Sequence, residues 1–256
     1  MEPRGLLAAV PLLLLVVGCG AQTSVASEPK RLPVRTVDGE VQVGCGSGSS
    51  WSPAVMADGV PGVVERDVVV EAFRELLADP ELSGELELSF LSAGAEETEW
   101  RVLAGDGDAL TLGLGSWTEA GPAEGARTFA MAREGRRWRW LGGGDCPHLG
   151  PVLADDADGW VEVTGLSAPA ADTGEVTVVV SEIACTGARD PGPFLHEPTV
   201  VETDQSVTVY WTTTPPESAS CPGNPSVERT LELGAPLGER ALLDGSSWPP
   251  APVPRS

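Results

Sequence analysis

Histidine is scarce: His148 and His196 are the whole supply, each close to proline in an expected loop, so enzymes that depend on imidazole have little to work with. Cations are also few, with 16 Lys and Arg against 38 Asp and Glu and a net charge of −22. That balance repels phosphate backbones and anionic head groups, which excludes nucleic acid as a partner and leaves no basic surface for membrane docking. No CxxC spacing occurs, so the usual zinc pattern is missing. A Gly/Ser run from Gly44 to Ser50 fails both motifs it could serve. Ser47 has Cys45 and Ser49 where a nucleophile elbow needs glycines, and no Lys follows as a phosphate loop requires. It reads as a loop around a disulfide.

Apolar runs are short with one exception, Leu6–Val17, which follows Arg4 and ends in Val16-Val17-Gly18-Cys19. A membrane-spanning helix needs ~20 apolar residues, and this run falls short of that. A basic residue, an apolar stretch and small residues before a Cys fit a lipoprotein signal. Cys19 is then the lipid-bearing mature N-terminus, and the chain is held on the extracytoplasmic face of a cell membrane. A plain secretory signal cut nearby is the competing reading. Removing Glu2 together with Arg4 leaves the net charge unchanged.

With Cys19 set aside, Cys45, Cys146, Cys185 and Cys221 remain in a chain sent to an oxidising compartment. Of the three pairings, Cys45–Cys146 with Cys185–Cys221 is expected, because each bridge then staples one proposed domain.

The abundance of turn formers, 31 Gly and 23 Pro, favours β structure. Residues 1–18 form the signal and 19–36 a polar tether. Residues 37–154 are expected to be an α+β domain, one helix packed on an antiparallel sheet. Its helix spans Glu65–Asp79, where Val69, Phe73, Leu76 and Leu77 recur at helical spacing and Pro80 closes the end. Strands follow at Leu86–Phe90, Glu99–Leu103, Ala109–Leu114, Thr128–Arg133 and Arg136–Leu141, with hairpin turns at Asp106-Gly107 and Glu134-Gly135. Val69, Phe73, Leu77, Leu110, Leu112 and Trp140 are the predicted core. Residues 155–247 read as a small all-β, sandwich-like domain of short Val- and Thr-rich strands. The Pro-rich tail 248–256 is expected to be extended or disordered.

The cassette Cys185-Thr186-Gly187, Cys221-Pro222-Gly223-Asn224, Pro236-Leu237-Gly238-Glu239-Arg240 and Asp244-Gly245 covers the last third of the chain. Together with the lipobox it resembles uncharacterised lipoproteins of high-GC Gram-positive bacteria. The resemblance implies a surface address and brings no assigned activity. On physical grounds these residues are turn makers, with Arg240 placed to pair with Asp244.

Three constellations remain. Arg136, Arg137 and Arg139 beside Trp138 and Trp140 form a candidate surface for an anionic polymer or a partner's edge, although alternation with indoles inward and Arg stems outward is what an ordinary amphipathic strand shows, and that reading is preferred. Asp155, Asp156, Asp158 and Asp106-Gly107-Asp108 resemble the start of a calcium loop, but the full pattern fails and an acidic turn is preferred. Carboxylates for hydrolysis are plentiful and therefore uninformative. No catalytic residue, metal or cofactor is assigned. The expected function is a non-enzymatic, lipid-anchored module that binds an envelope protein or polymer. An envelope hydrolase with a carboxylate or metal-dependent site in the first domain is the alternative.

Overall fold

The computed structural model describes residues 31–46, 49–79, 100–146, 149–156, 158–167, 174–217 and 220–255. The signal with Cys19, the Leu86–Phe90 strand and His148 lie outside the described residues. Contacts gather Arg31–Ser256 into one compact unit.

The chain is mostly β, with 46% strand and 9% helix, which overturns the α+β expectation in favour of an essentially all-β fold. The reason is one of coverage: a single 12-residue helix shields only one face of one sheet, and strands and loops do the rest.

The first half opens with β1 (Thr36–Val37) and β2 (Glu40–Val41), which pair with each other. β3 (Val43–Gly44) pairs with β10 (Gly150–Pro151), far along the chain. The tether ends earlier than expected: Val34 is buried and bridges Leu153, and Arg35 pairs with Asp156 at 2.6 Å. Helix α1 (Arg66–Leu77) buries Val69, Ala72, Phe73 and Leu76, with Asp67 in its first turn, where the helix dipole favours an acid. The helix lies on a meander of β4 (Trp100–Gly105), β5 (Ala109–Leu114), β8 (Arg127–Glu134) and β9 (Arg137–Asp145). Leu110, Leu112, Phe129, Met131 and Trp138 meet the helix in one cluster, with Leu77 and Trp140 half-buried at its margin. The short pair β6 (Trp117–Thr118) and β7 (Gly121–Pro122) lies between β5 and β8 in sequence.

Two hairpin details shift. The β8–β9 turn falls on Gly135-Arg136, with Glu134 opposite Arg137, because Gly135 takes the left-handed φ of +66° that such a turn requires. β9 also runs four residues past Leu141 through three glycines, which carry no apolar pattern and are held by pairing with β8.

The second half holds β11 (Gly159–Ser167), β12 (Glu175–Glu182), β13 (Thr199–Glu202), β14 (Ser206–Thr213), β15 (Ser226–Glu232), β16 (Ala241–Asp244) and β17 (Ala251–Pro252). They pair in the order β15-β12-β11-β14-β16-β17, with β13 on the other edge of β14. β14 serves both ends of the assembly. Its first half pairs with β13 and runs parallel to β16, and its last three residues pair with β11. Val161, Val163, Val176, Val178, Val180, Val207, Val209 and Trp211 fill the shared core. The Pro-rich tail is extended and completes the edge as β17, with Val253 buried and donating its N–H to Leu242 O at 2.9 Å. Both expected disulfides are formed, Cys45–Cys146 and Cys185–Cys221. Among the described residues, no helix is long and apolar enough to cross a membrane.

Candidate functional site

Strand alternation gives the meander a second face. Leu110, Leu112, Phe129 and Met131 point at α1, so Thr111, Gly113, Thr128 and Ala130 point away from it. Part of this second face is covered. Residues 43–46 and 49–56 fold back over β4 and β5, where Val43, Trp51, Met56, Leu103, Trp117, Cys146 and Leu149 form their own buried cluster. Trp51 and Trp117 meet edge to face, with centroids 5.9 Å apart. Gly113 leaves the room for this, since a Cβ there would sit 2.9 Å from the Trp117 ring. Arg101 fastens the cover by donating to the carbonyls of Met56, Ala57 and Trp117. The Cys45–Cys146 bridge fastens it at the far end.

The cover stops short of β9, and a groove of about 660 Å³ remains. This lies within the roughly 300–1,000 Å³ typical of ligand sites. Its floor is built from two cross-strand rows, Thr111–Ala130–Gly142 and Thr128–Gly144. Cys45, Gly46, Ser49 and Trp51 form one wall, and Leu141, 64% exposed, stands on the other side. Leu141 is the extra residue of a β-bulge, because Met131 faces Trp140 while Ala130 faces Gly142. Gly142 follows with φ of +156°. A Cβ on Gly142 or Gly144 would meet nothing within 4 Å, whereas one on Gly143 would lie 2.5 Å from Thr128 O. Two of the three glycines therefore hold the groove open, and the third lets the strands close up. The polar groups are hydroxyls: Thr111 Oγ1 donates to Ser49 Oγ at 3.1 Å, with Thr128 alongside. The one carboxylate, Asp145, is paired with Arg127 at 2.9 Å.

The arginine cluster divides. Trp138 is a core residue, 4% exposed, and is no part of a surface. Arg133 stacks over its ring at 5.0 Å, and Arg139 pairs with Glu134 at 2.6 Å. Arg136 and Arg137 are exposed at the turn and make no ion pair among the described residues. No group of three potential metal ligands comes together among the described residues. Asp106 accepts from the backbone N–H groups of Asp108 and Ala109, an ordinary acidic turn. His196 lies between Thr212 Oγ1 at 3.0 Å and Thr214 Oγ1 at 2.8 Å. Asp158 is 3.6 Å from its Nδ1, beyond hydrogen-bond range, so no catalytic relay forms.

The cassette residues lock loops. Asn224 Nδ2 donates to Glu182 O and Ala184 O, and its Oδ1 accepts from Thr186 N and Oγ1, all beside Cys185–Cys221. Arg240 pairs with Glu202 at 2.8 Å and not with Asp244; it also donates to the Ala235 and Pro236 carbonyls. Asp244 is instead buried and accepts from Ser246 N and Oγ. Burial pushes its carboxyl above the usual range, against those hydrogen bonds.

The sequence reading missed Glu182. Val176, Val178 and Val180 point inward on β12, and period two carries Glu182 into the same buried row. Burial alone would raise its carboxyl, but hydrogen bonds from Arg189, Thr213 and Thr186 hold it below the usual range. Glu202 is lowered likewise: the Gly234 N–H and Arg240 outweigh its burial. No family model, no curated protein and no solved structure matches the chain.

Proposed function

We propose that this chain is a lipid-anchored protein of the bacterial envelope that binds an envelope component in the groove above β8 and β9. The supporting observation is how the groove is held. A bridge spanning 101 residues, a half-buried arginine and a tryptophan pair all fix a cover that leaves one strip of sheet bare. Sites on rigid strands keep their shape without a ligand. The lipobox at Cys19 supports the address, and the two disulfides fit an oxidising compartment. A hydrolytic reading needs converging acids, whereas the carboxylate at the groove already has its counter-ion.

The test compares the full chain in detergent with its Gly144→Leu variant in a pull-down on cell envelopes already stripped of lipid by detergent, so that the anchor at Cys19 holds neither. Wild type is retained and Gly144→Leu is released, because a Cβ at this position meets nothing within 4 Å and the new side chain projects into the groove. Equal retention of both overturns the groove, and turnover of an envelope substrate by the full chain overturns the non-enzymatic reading.

A further inference from the structure

We infer that the groove takes an uncharged, hydroxyl-rich chain, a neutral glycan of the envelope. The inference rests on the groove reading above and adds the chemistry of the occupant. Among the described residues the lining has no unpaired charge: Ser49, Thr111, Thr128, Ala130, Leu141 and the glycines are neutral, and Asp145 is held by Arg127. A charged ligand would lose water and gain no counter-ion there, and an anion would also meet the field of a body carrying −22. A wholly apolar ligand would strip water from the Ser49–Thr111 hydroxyl pair and from main chain bared by Gly142 and Gly144. A chain of hydroxyls exchanges its water for these donors and acceptors one for one.

Peptides are disfavoured by the edge they would use. A peptide that adds a strand needs an unbroken row of backbone groups. On β9 the bulge at Leu141 and the positive φ of Gly142 break that row in the middle of the groove. A glycan has no such period to match. Trp51, 2% exposed, contributes a wall and not a stacking platform, so recognition falls to the hydroxyls and the floor.

The experiment is affinity electrophoresis of the full chain in detergent through gels holding neutral polysaccharides (a glucan, a mannan, a galactan, an arabinan) or an anionic one, polygalacturonate. Wild type, Gly144→Leu, Thr128→Val and Arg136→Ala/Arg137→Ala run side by side. At least one neutral polymer is expected to retard wild type and the arginine variant equally. Gly144→Leu should weaken that retardation by roughly tenfold or more and Thr128→Val by several fold. Retardation by polygalacturonate alone, lost in the arginine variant, overturns the inference, as does no retardation by any neutral polymer. If envelope capture still depends on Gly144 while no neutral polymer binds, the ligand class is wrong and the groove stands. If neither depends on Gly144, both fall.

Discussion

Arg189 and Glu182 form a bidentate pair in the second half of the chain, Nη2 to Oε1 at 2.5 Å and Nε to Oε2 at 3.2 Å. The Glu182 side chain has no exposed surface, and that of Arg189 is 18% exposed. Thr213 donates to the same carboxylate at 2.8 Å, and the guanidinium stacks 3.7 Å over Phe194. Removing one partner of such a pair strands a buried charge, at a cost of about 3–5 kcal/mol. Arg189→Ala should therefore lower the unfolding free energy obtained by urea titration by that amount, whereas Arg74→Ala, whose exposed pair with Glu71 contributes little, should lower it by less than about 1 kcal/mol. Equal effects would show the buried pair to be unimportant.

The carboxylates predict opposite pH responses. Glu182 and Glu202 have lowered folded-state values, so their contribution is present above the ordinary glutamate value of 4.5 and is lost as pH falls through the lower folded values. Asp244 has a raised value, so its contribution is present below the ordinary aspartate value of 3.8 and is lost as pH rises through the raised one. Unfolding free energy measured against pH should show acid loss that Glu202→Gln reduces. Asp244→Asn should flatten the decline on the rising side. An unchanged profile in both variants would refute the assignments.

Adjacent glycines on β9 should behave differently. Gly143→Ala forces a Cβ against Thr128 O and should destabilise by about 1–3 kcal/mol, as overpacking does. Gly144→Ala opens into the groove and should stay within about 0.5 kcal/mol of wild type. Thermal unfolding of the two variants decides it, and the reverse order would misplace the groove.

Disulfide removal should scale with the loop closed. In the chain-entropy account a separation of 101 residues corresponds to about 4.7 kcal/mol, and 36 residues to roughly 1 kcal/mol less. Cys45→Ala/Cys146→Ala should be the more damaging pair by denaturant titration and should also loosen the groove cover. A larger loss from Cys185→Ala/Cys221→Ala would mean that the second-half network depends on its bridge for more than chain entropy.

Attachment is tested at Cys19. Cys19→Ser should release or misprocess the protein, moving it out of the membrane fraction. An unchanged fraction would refute the lipid anchor.

Much of the local structure was legible. The helix at Arg66–Leu77 follows from period and its closing turn because it buries one continuous face, and β5 at Ala109–Leu114 follows from the hairpin turn before it. The groove was not legible. Its lining comes from Ser49, Thr111 and Gly144, separated by up to 95 positions, and the Gly142–Gly144 floor carries no period at all. The Gly44–Ser50 run read as a loop at a disulfide, and Cys45 does carry the bridge to Cys146, but nothing in its composition placed Ser49 against Thr111 of β5. Trp138 entered the candidate surface because strand alternation gives two faces without saying which is wet.

What the sequence alone determined is a set of local facts: the signal-like start, the acidic balance, the helix, most strands and the even cysteines. Each depends on residues close in the chain or on total composition. The tertiary structure decided which sheet face stays bare, why Glu182 can lie buried, and that Arg240 meets Glu202 and not Asp244. Those outcomes depend on register and on contacts between distant segments, where one residue's shift turns every side chain to the opposite face.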